Sequence, residues 1–338
     1  MRNTTHLQCI PGSLESALSI ICPAGRWFAV VLLVGLVVGC EGTYPGAQTE
    51  ADQARVGANS DRSTAVLIVC HGSHSAQWRE SLTAVAEKVR EDILRCDQVG
   101  AVQLAFMEYN EPSIATCLKE FDEAGFAKVL IIPLLLTVSS HSFDDIPCIA
   151  GLKEDHATLE TLKLEGIEIY KARAAVEIAP LLDFAGLLEK NVIRRVKAMS
   201  ENPADEGVVL VAYGDERYNE EWTRLLEQIG AKLKEELQIE SCRFAWCGHV
   251  VRYKSEPTEA AIKEVLAERK SAIVIPVLVA VDEHFQGSII GGAIKNVDVG
   301  ERVRYRHDAI LPDENVERWL VEVCRGNFPV AMNPLVGK

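Results

Sequence analysis

Three histidines follow apolar stretches that are typical of buried strands, a position where a side chain can carry metal or proton chemistry. His71 follows one such stretch. His141 and His284 each lie eight residues after a proline inside an apolar stretch, Pro133 and Pro276 respectively. Imidazole is a ligand for divalent transition metals, and it titrates near neutral pH. The pattern therefore predicts a histidine site at the ends of strands.

Carboxylates accompany two of these histidines. Glu108 comes just after the apolar stretch 102–106, and Asp145 lies four residues after His141. A carboxylate at either place could accept protons, complete a metal site or fix the tautomer of a neighbouring imidazole. The alternative is that Asp144 or Asp145 only caps the helix that begins there.

The turn that contains His71 has a second feature of interest. Residues 66–70 predict a strand, Gly72 predicts a tight turn, and an amphipathic helix follows. Backbone amides at the start of a helix favour anions, so Ser73 is a candidate for binding an anionic substrate. The alternative is that hydrogen bonds at the turn simply satisfy His71.

The chain contains an internal duplication with a long period. His284 lies 143 residues after His141, and His71 has Tyr213 at its corresponding position. Three pairs of segments match, namely 131–141 with 274–284, 66–78 with 208–222, and 106–113 with 251–258. A repeat of this length indicates two similar domains rather than a solenoid.

Apolar strands alternate with amphipathic helices along both copies. This alternation predicts an α/β fold made of two similar three-layer, flavodoxin-like units, each with a parallel sheet. We place the domains at 63–200 and 203–338. Helices are predicted at 78–95, 112–124, 179–199, 219–237 and 257–269. Right-handed crossovers would put the carboxyl ends of all strands, and with them the three histidines, at one edge.

The first 39 residues are interpreted as a signal peptide outside the fold. Thirteen uncharged residues, 27–39, follow Arg26, and the segment before Cys40 resembles the lipobox of bacterial lipoproteins. Cys40 is then the lipidated residue, 40–62 a flexible tether, and the protein an exported lipoprotein held at the membrane. Alternatives are a short anchor that is never cleaved, or a cytoplasmic protein whose leader is wrongly assigned.

Net charge limits the choice of partners. The formal net charge is −14 and becomes −15 without residues 1–39, because these carry two arginines and one glutamate. So acidic a chain, with no basic stripe, is a poor candidate for binding nucleic acid.

Taken in order, these motifs resemble the CbiX type of class II chelatases, which are sirohydrochlorin cobaltochelatases and their ferrochelatase relatives. The residues that carry the resemblance are His71-Gly72-Ser73, Phe106–Glu108 with Glu111-Pro112-Ser113, and His141 with Asp145-Ile146-Pro147. The resemblance covers about residues 64–300 as two halves and is stronger in the first.

The resemblance implies two α/β domains that face each other across a cleft. It implies ATP-independent insertion of Co²⁺ or Fe²⁺ into sirohydrochlorin, with the metal as substrate and no permanently bound cofactor. His71 and His141 would bind the metal and assist proton removal, Glu108 matches the acidic position, and Asp145 would orient His141. His284 is the one histidine that persists in the second half, so we predict one asymmetric site with His284 as an additional metal contact.

The implied substrate is a polycarboxylate, whereas the protein is acidic, so local basic groups are required. Arg252 and Lys254, at a predicted strand end of the second half, are candidates to bind the substrate; the alternative is ordinary surface charge. A different class of function uses the same histidines, namely an exported protein that binds a tetrapyrrole or a metal without turnover.

Overall fold

Two four-stranded parallel sheets, one in each half of the chain, form the framework of the protein. A computed structural model of the chain describes residues 62–136, 139–182 and 186–326. The strand order is β2-β1-β3-β4 in the first sheet and β6-β5-β7-β8 in the second. The α/β class and the parallel sheets agree with the sequence prediction, and the matching strand orders fit an internal duplication.

The elements follow one another in the same order in both halves. The first half contains β1 (Thr64–Cys70), α1 (Ala76–Leu94), β2 (Val99–Phe106), α2 (Ile114–Glu123), β3 (Lys128–Pro133), a π-helical turn (His141–Asp145), α3 (Ile146–Ile149), α4 (His156–Leu164), β4 (Ala175–Ile178) and α5 (Leu187–Lys197). The second contains β5 (Glu206–Ala212), α6 (Asn219–Leu237), β6 (Ser241–Trp246), a 3₁₀ turn (His249–Val251), α7 (Glu256–Glu268), β7 (Ser271–Val277), a π-helical turn (His284–Ile290), α8 (Gly291–Val297), β8 (Val303–Tyr305) and α9 (Glu314–Cys324). Short 3₁₀ turns at Pro203–Asp205 and Gly300–Arg302 precede β5 and β8.

Helix boundaries largely match the prediction, with one clear difference. The helix predicted over 179–199 is shorter, because α5 begins only at Leu187. Gly186 precedes it with a φ of +64°, a left-handed conformation that does not continue a helix backwards. Ala179 instead continues the hydrogen bonding of the sheet, since its amide donates to the carbonyl oxygen of Ile131 over 2.8 Å.

The two sheets share a central layer of helices. Alternate residues of a strand point to opposite faces, and in β1 Val66 and Ile68 face this central layer while Leu67 and Val69 face the outside. The central core contains side chains of α1, α5, α6 and α9 packed against both sheets. Separate outer cores lie under α2–α4 in the first half and α7–α8 in the second. Both faces of each sheet are therefore covered, which accounts for the continuously apolar strands.

One helix of each half packs against the other half. Helix α5 contacts β7 and α6, and α9 contacts α1 and β3. Arg195 of α5 donates to the carbonyl oxygen of Pro276 over 2.7 Å and pairs with Asp308. These contacts join the two walls of the cleft described below into one framework.

Asp313 is expected to contribute strongly to stability, because its buried carboxylate links α9 to α5. It accepts from Asn191 Nδ2 over 2.7 Å and from Arg194 Nη2 over 2.9 Å, and its side chain is 1% exposed. We expect Asp313→Ala to lower the free energy of unfolding, measured by urea titration, by about 2 kcal/mol, because it removes the acceptor of Asn191, Arg194 and the amide of Asn315.

The matched control for that change is Asp92→Ala, which removes an exposed carboxylate paired with Arg95. It should change the free energy of unfolding by no more than about 0.5 kcal/mol. Burial acts to raise the pKa of Asp313, but its hydrogen bonds outweigh this and lower it. The contribution of Asp313 should therefore be present above the pKa of an unfolded aspartate and disappear as pH falls further. Equal losses in the two variants would contradict this role.

The N-terminal predictions fall outside the described residues. They comprise the signal peptide 1–39, the lipidation residue Cys40 and the tether 40–62, of which only residue 62 is described. They stay predictions. Among the helices that the structure describes, none has both the length and the apolar character needed to cross a bilayer.

Candidate active site

A tight turn at the end of β1 places His71 beside the neighbouring strand. Gly72 has a φ of +106°, and a Cβ atom there would lie 1.9 Å from the carbonyl oxygen of Glu108. Hydrogen bonding continues past both strand ends, where the amide of Met107 donates to Cys70 O over 2.8 Å and that of Glu108 to His71 O over 3.0 Å. The glycine and the extended ladder together fix Glu108 next to His71.

His71 and Glu108 form an ion pair. Nε2 of His71 lies 2.9 Å from Oε1 of Glu108, and Nδ1 lies 3.0 Å from the carbonyl oxygen of Gly72. Both partners are acceptors, so both ring nitrogens carry hydrogen and the imidazole is charged in this arrangement. The turn does satisfy His71 by hydrogen bonds, but the partner that matters is a titratable carboxylate.

The protonation of this pair is shifted in opposite directions. Burial acts to lower the pKa of His71, but the hydrogen bond and charge of Glu108 outweigh it and raise that pKa. Burial acts to raise the pKa of Glu108, whereas the hydrogen bond and charge of His71 bring it below its usual range. The pairing therefore favours a protonated imidazole beside an ionised carboxylate, and the arrival of another positive charge would favour release of that proton.

His141 is held by a carboxylate of its own helix. It opens the π-helical turn, and its Nδ1 lies 2.7 Å from Oδ2 of Asp145. Asp145 makes no side-chain capping bond to the helix, so the capping alternative is wrong for this residue. Asp144 does not cap either: it is buried and pairs with Lys153 and Arg217. With Nδ1 engaged, Nε2 is the nitrogen of His141 that could bind a metal.

The two imidazoles lie together in a large cleft between the halves. Their ring centroids are 4.6 Å apart, and the rings are nearly perpendicular, at 80°. The cleft has a volume of about 650 Å³, and residues of both halves line it. Two carboxylate-bound histidines at the wall of one cleft are suited to binding a transition metal and moving protons.

Comparison with known proteins identifies the half that carries these histidines. The model of the CbiX family matches residues 65–198. Residues 65–198 belong to the CbiX family. This segment, called the CbiX half below, includes His71, Glu108, His141 and Asp145.

Relatives of the chain are described as sirohydrochlorin cobaltochelatases. The protein of Methanocaldococcus jannaschii is 35% identical over 92 residues, which are 27% of this chain and 62% of that relative. The match thus spans about three fifths of the relative's length. The protein of Saccharolobus islandicus is 29% identical over 131 residues, or 39% of this chain and 91% of that relative.

Solved structures resemble both halves together. SirB from Bacillus subtilis with Fe³⁺ is 17% identical, with a TM-score of 0.58 over 78% of this chain and 94% of that one. The sirohydrochlorin chelatase SirB from Bacillus subtilis subspecies spizizenii, in complex with cobalt, is 17% identical, with a TM-score of 0.53 over the same shares. At this identity the likeness establishes the fold, which extends beyond the CbiX half.

The second half replaces the His71–Glu108 pair with other residues. The amide of Gly248 donates to Tyr213 O over 3.0 Å, as that of Glu108 does to His71 O, so Tyr213 and Gly248 occupy the corresponding places. A Cβ atom on Gly248 would lie 2.9 Å from the ring of Tyr213. The tyrosine ring thus fills the space in which the CbiX half holds a carboxylate.

This register corrects the predicted match of 106–113 with 251–258. Phe106 ends β2 as Trp246 ends β6, and the connection that follows is longer in the second half. The two prolines also differ, since Pro112 precedes the N-cap Ser113 whereas Pro257 lies in the first turn of its helix.

His284 lines the cleft but does not join the other histidines as a ligand. It opens the second π-helical turn, is exposed, and contacts the rings of Tyr253 and Phe285 at 5.8 and 5.2 Å. In the part of the chain that the structure describes, no three His, Cys, Asp or Glu side chains are placed to hold one metal ion. The predicted metal set of His71, His141 and His284 is therefore not assembled here, because His284 belongs to the opposite wall.

The predicted substrate-binding residues have different surroundings. Ser73 lines the cleft, and its hydroxyl donates to Asp282 Oδ2 of the second half over 3.0 Å. Arg252 and Lys254 do not lie at a strand end, because β6 ends at Trp246. They are exposed and flank Tyr253, which does line the cleft.

Several residues of the cleft were not predicted from the sequence. Tyr109 and Tyr253 line it from the two halves, and Asp215 binds the hydroxyl and amide of Ser140 across the interface, each over 3.1 Å. Tyr109 could have been found, because it directly follows Glu108. Tyr253 could not, since its position depends on the longer connection after β6.

Proposed function

We propose that the chain inserts a divalent metal, Co²⁺ or Fe²⁺, into sirohydrochlorin or a related tetrapyrrole without ATP. The observation that carries the proposal is the pair of carboxylate-bound imidazoles of His71 and His141, 4.6 Å apart at the wall of a cleft. The cobaltochelatase activity named for relatives of the chain supports the same reaction.

The metal needs ligands that bind it and then let it go. Neutral imidazole suits Co²⁺ and Fe²⁺ and makes a less rigid site than a cage of carboxylates. Nε2 of His141 is placed for this role, because Asp145 holds Nδ1 over 2.7 Å and so fixes the ring. His71 becomes a second ligand once the approaching cation displaces its proton.

The macrocycle must lose two pyrrole protons when the metal enters. The proton that His71 loses when it binds the metal passes to solvent. Once the metal has left His71 for the macrocycle, the His71–Glu108 pair is free to accept one pyrrole proton, and the second pyrrole proton passes to solvent. The 2.9 Å contact between His71 and Glu108 makes the two groups act as one acceptor. ATP has no part in this scheme, since the metal–nitrogen bonds formed in the macrocycle supply the free energy for displacing its two protons.

The test is anaerobic mixing of the protein with sirohydrochlorin and Co²⁺ or Fe²⁺, followed by absorption spectroscopy. We expect conversion to the metallated spectrum at a rate well above that without protein, and no change on adding ATP. Running both metals in parallel determines which one the protein uses. Bound sirohydrochlorin with no spectral conversion for either metal would instead support a binding protein without turnover.

A further inference from the structure

Two large aromatic side chains are exposed at the open side of the cleft, one on each wall. Tyr109 is 59% exposed and Tyr253 is 45% exposed, although both line the cleft. Tyr109 packs against the ring of His74, with centroids 4.6 Å apart, and Tyr253 packs against His284 and Phe285. Each tyrosine therefore presents an aromatic surface to the space between the halves.

The backbone at both tyrosines has an uncommon conformation. Tyr109 has a φ of +64° and Tyr253 a φ of +57°, and Arg252 beside it also has a positive φ of +55°. Left-handed backbone costs free energy in residues with a Cβ atom and persists only where the surroundings impose it. Such positions concentrate at ligand clamps and active sites. The strained backbone therefore suggests that the exposure of the two rings serves binding.

The two tyrosines do not descend from one duplicated position. Tyr109 comes three residues after the end of β2, whereas Tyr253 comes seven residues after the end of β6, beyond the 3₁₀ turn. Inheritance from a common ancestral half does not explain why both walls carry a tyrosine at the opening. A shared ligand with two faces does.

The charge of the cleft lining favours a flat apolar ligand over direct pairing with carboxylates. Among the residues described around the cleft, the lining contains no lysine or arginine but does contain Leu135, Leu136, Leu278, Trp78 and Phe285. The exposed cations Arg252 and Lys254 lie outside, on either side of Tyr253. A macrocycle with peripheral carboxylates could thus enter with its ring inside and its charges at the rim.

We propose that Tyr109 and Tyr253 form an aromatic clamp that grips the two faces of the macrocycle, an inference that rests on the proposed function. Tyr213 extends the clamp inward on the second wall, where its hydroxyl lies 3.4 Å from that of Tyr253. The metal then reaches the macrocycle from the wall of His71 and His141. The clamp determines affinity for the tetrapyrrole and leaves metal binding to the histidines.

The experiment measures sirohydrochlorin binding and turnover separately in the full chain. Tyr109→Leu and Tyr253→Leu keep apolar bulk but remove the ring, and the matched Tyr→Phe variants keep the ring. We expect each leucine variant to raise the Kd and the KM for sirohydrochlorin roughly fivefold to tenfold, in line with the loss of one aromatic stacking contact. The KM for Co²⁺ should not change in Tyr253→Leu, and the phenylalanine variants should stay within about twofold of the original Kd.

The outcomes distinguish the clamp from the proposed reaction. Unchanged affinity for sirohydrochlorin in the double leucine variant, with thermal unfolding like that of the original protein, would overturn the clamp alone. Tight binding without metal insertion in the original protein would overturn the proposed reaction alone, and the affinities of the variants would still decide the clamp. An original protein that binds no sirohydrochlorin would overturn both.

Discussion

Replacing His141 with alanine is expected to abolish metal insertion, with a loss of about a thousandfold or more in the rate. The change removes the imidazole nitrogen that Asp145 orients towards the cleft, and the neighbouring imidazole of His71 cannot replace it, because that ring is engaged by Glu108. The fold should survive, because the ring is 30% exposed and contributes little to the core. Initial rates under anaerobic conditions, with thermal unfolding as a check on folding, provide the measurement.

The comparison variants are alanine substitutions at His71 and His284. His71→Ala should lower the rate roughly a hundredfold, because Glu108 remains as a proton acceptor but one metal contact is lost. His284→Ala should cost less than about tenfold, since His284 contacts Tyr253 and Phe285 on the other wall. Three equal rates would contradict an asymmetric site, and an active His141→Ala variant would remove His141 from the mechanism.

The sequence predicted the fold well because the signals for it are local. Continuously apolar strands between amphipathic helices indicate a covered parallel sheet, and residues such as Leu67 and Ile68 are indeed buried on opposite faces of β1. The packing of α5 against the second half, and of α9 against the first, could not be predicted. It depends on contacts such as Arg195 with Pro276, which join residues far apart in the sequence.

The site was predicted in its residue types more than in its pairing. Strand ends correctly placed His71, Glu108 and His141 at one edge. Of the two pairings, the sequence predicted that of Asp145 with His141, and the structure shows this contact. It did not predict the contact of Glu108 with His71, because the extension of the ladder past β2 decides it. The second wall was misaligned for a related reason, since the longer connection after β6 puts Gly248, not Tyr253, at the place of Glu108.

The structure thus divides the work of the cleft between its two walls. The CbiX half contributes the carboxylate-bound imidazoles of His71 and His141, whereas the second half has Tyr213 in place of His71 and lines the cleft with aromatic rings and with Asp215, Asp282, Glu283 and His284. In the second half, the ring of Tyr213 leaves no room for a side chain at position 248, where Gly248 replaces the carboxylate Glu108. Under the proposed function, the metal therefore reaches the macrocycle from one wall, that of His71 and His141. A single metal site fits a reaction that places one ion in each macrocycle.

Replacing Glu108 with glutamine is expected to lower the pKa of His71. Glutamine keeps the size of the side chain but removes the charge that raises this pKa, so burial, which acts to lower it, then dominates. The histidine resonances of the metal-free protein, followed by NMR over a pH series, give the midpoint directly. The binding of Co²⁺ should extend to lower pH in the variant, because the ion then competes with a proton that His71 binds more weakly.

The same change should also alter the pH dependence of stability, with a sign fixed by both shifts. The raised pKa of His71 gives stability that is complete below the unfolded value, about 6.5, and lost as pH rises through the folded pKa. The lowered pKa of Glu108 gives stability that is present above its unfolded value, about 4.3, and lost as pH falls. The loss of unfolding free energy caused by Glu108→Gln in urea titration should therefore be largest between these two pH values.

Glu111→Gln is the control, because Glu111 binds Ser113 and Thr116 at the start of α2 and does not contact His71. A midpoint for His71 that stays in place or rises in Glu108→Gln would show that this carboxylate does not set the protonation of the site.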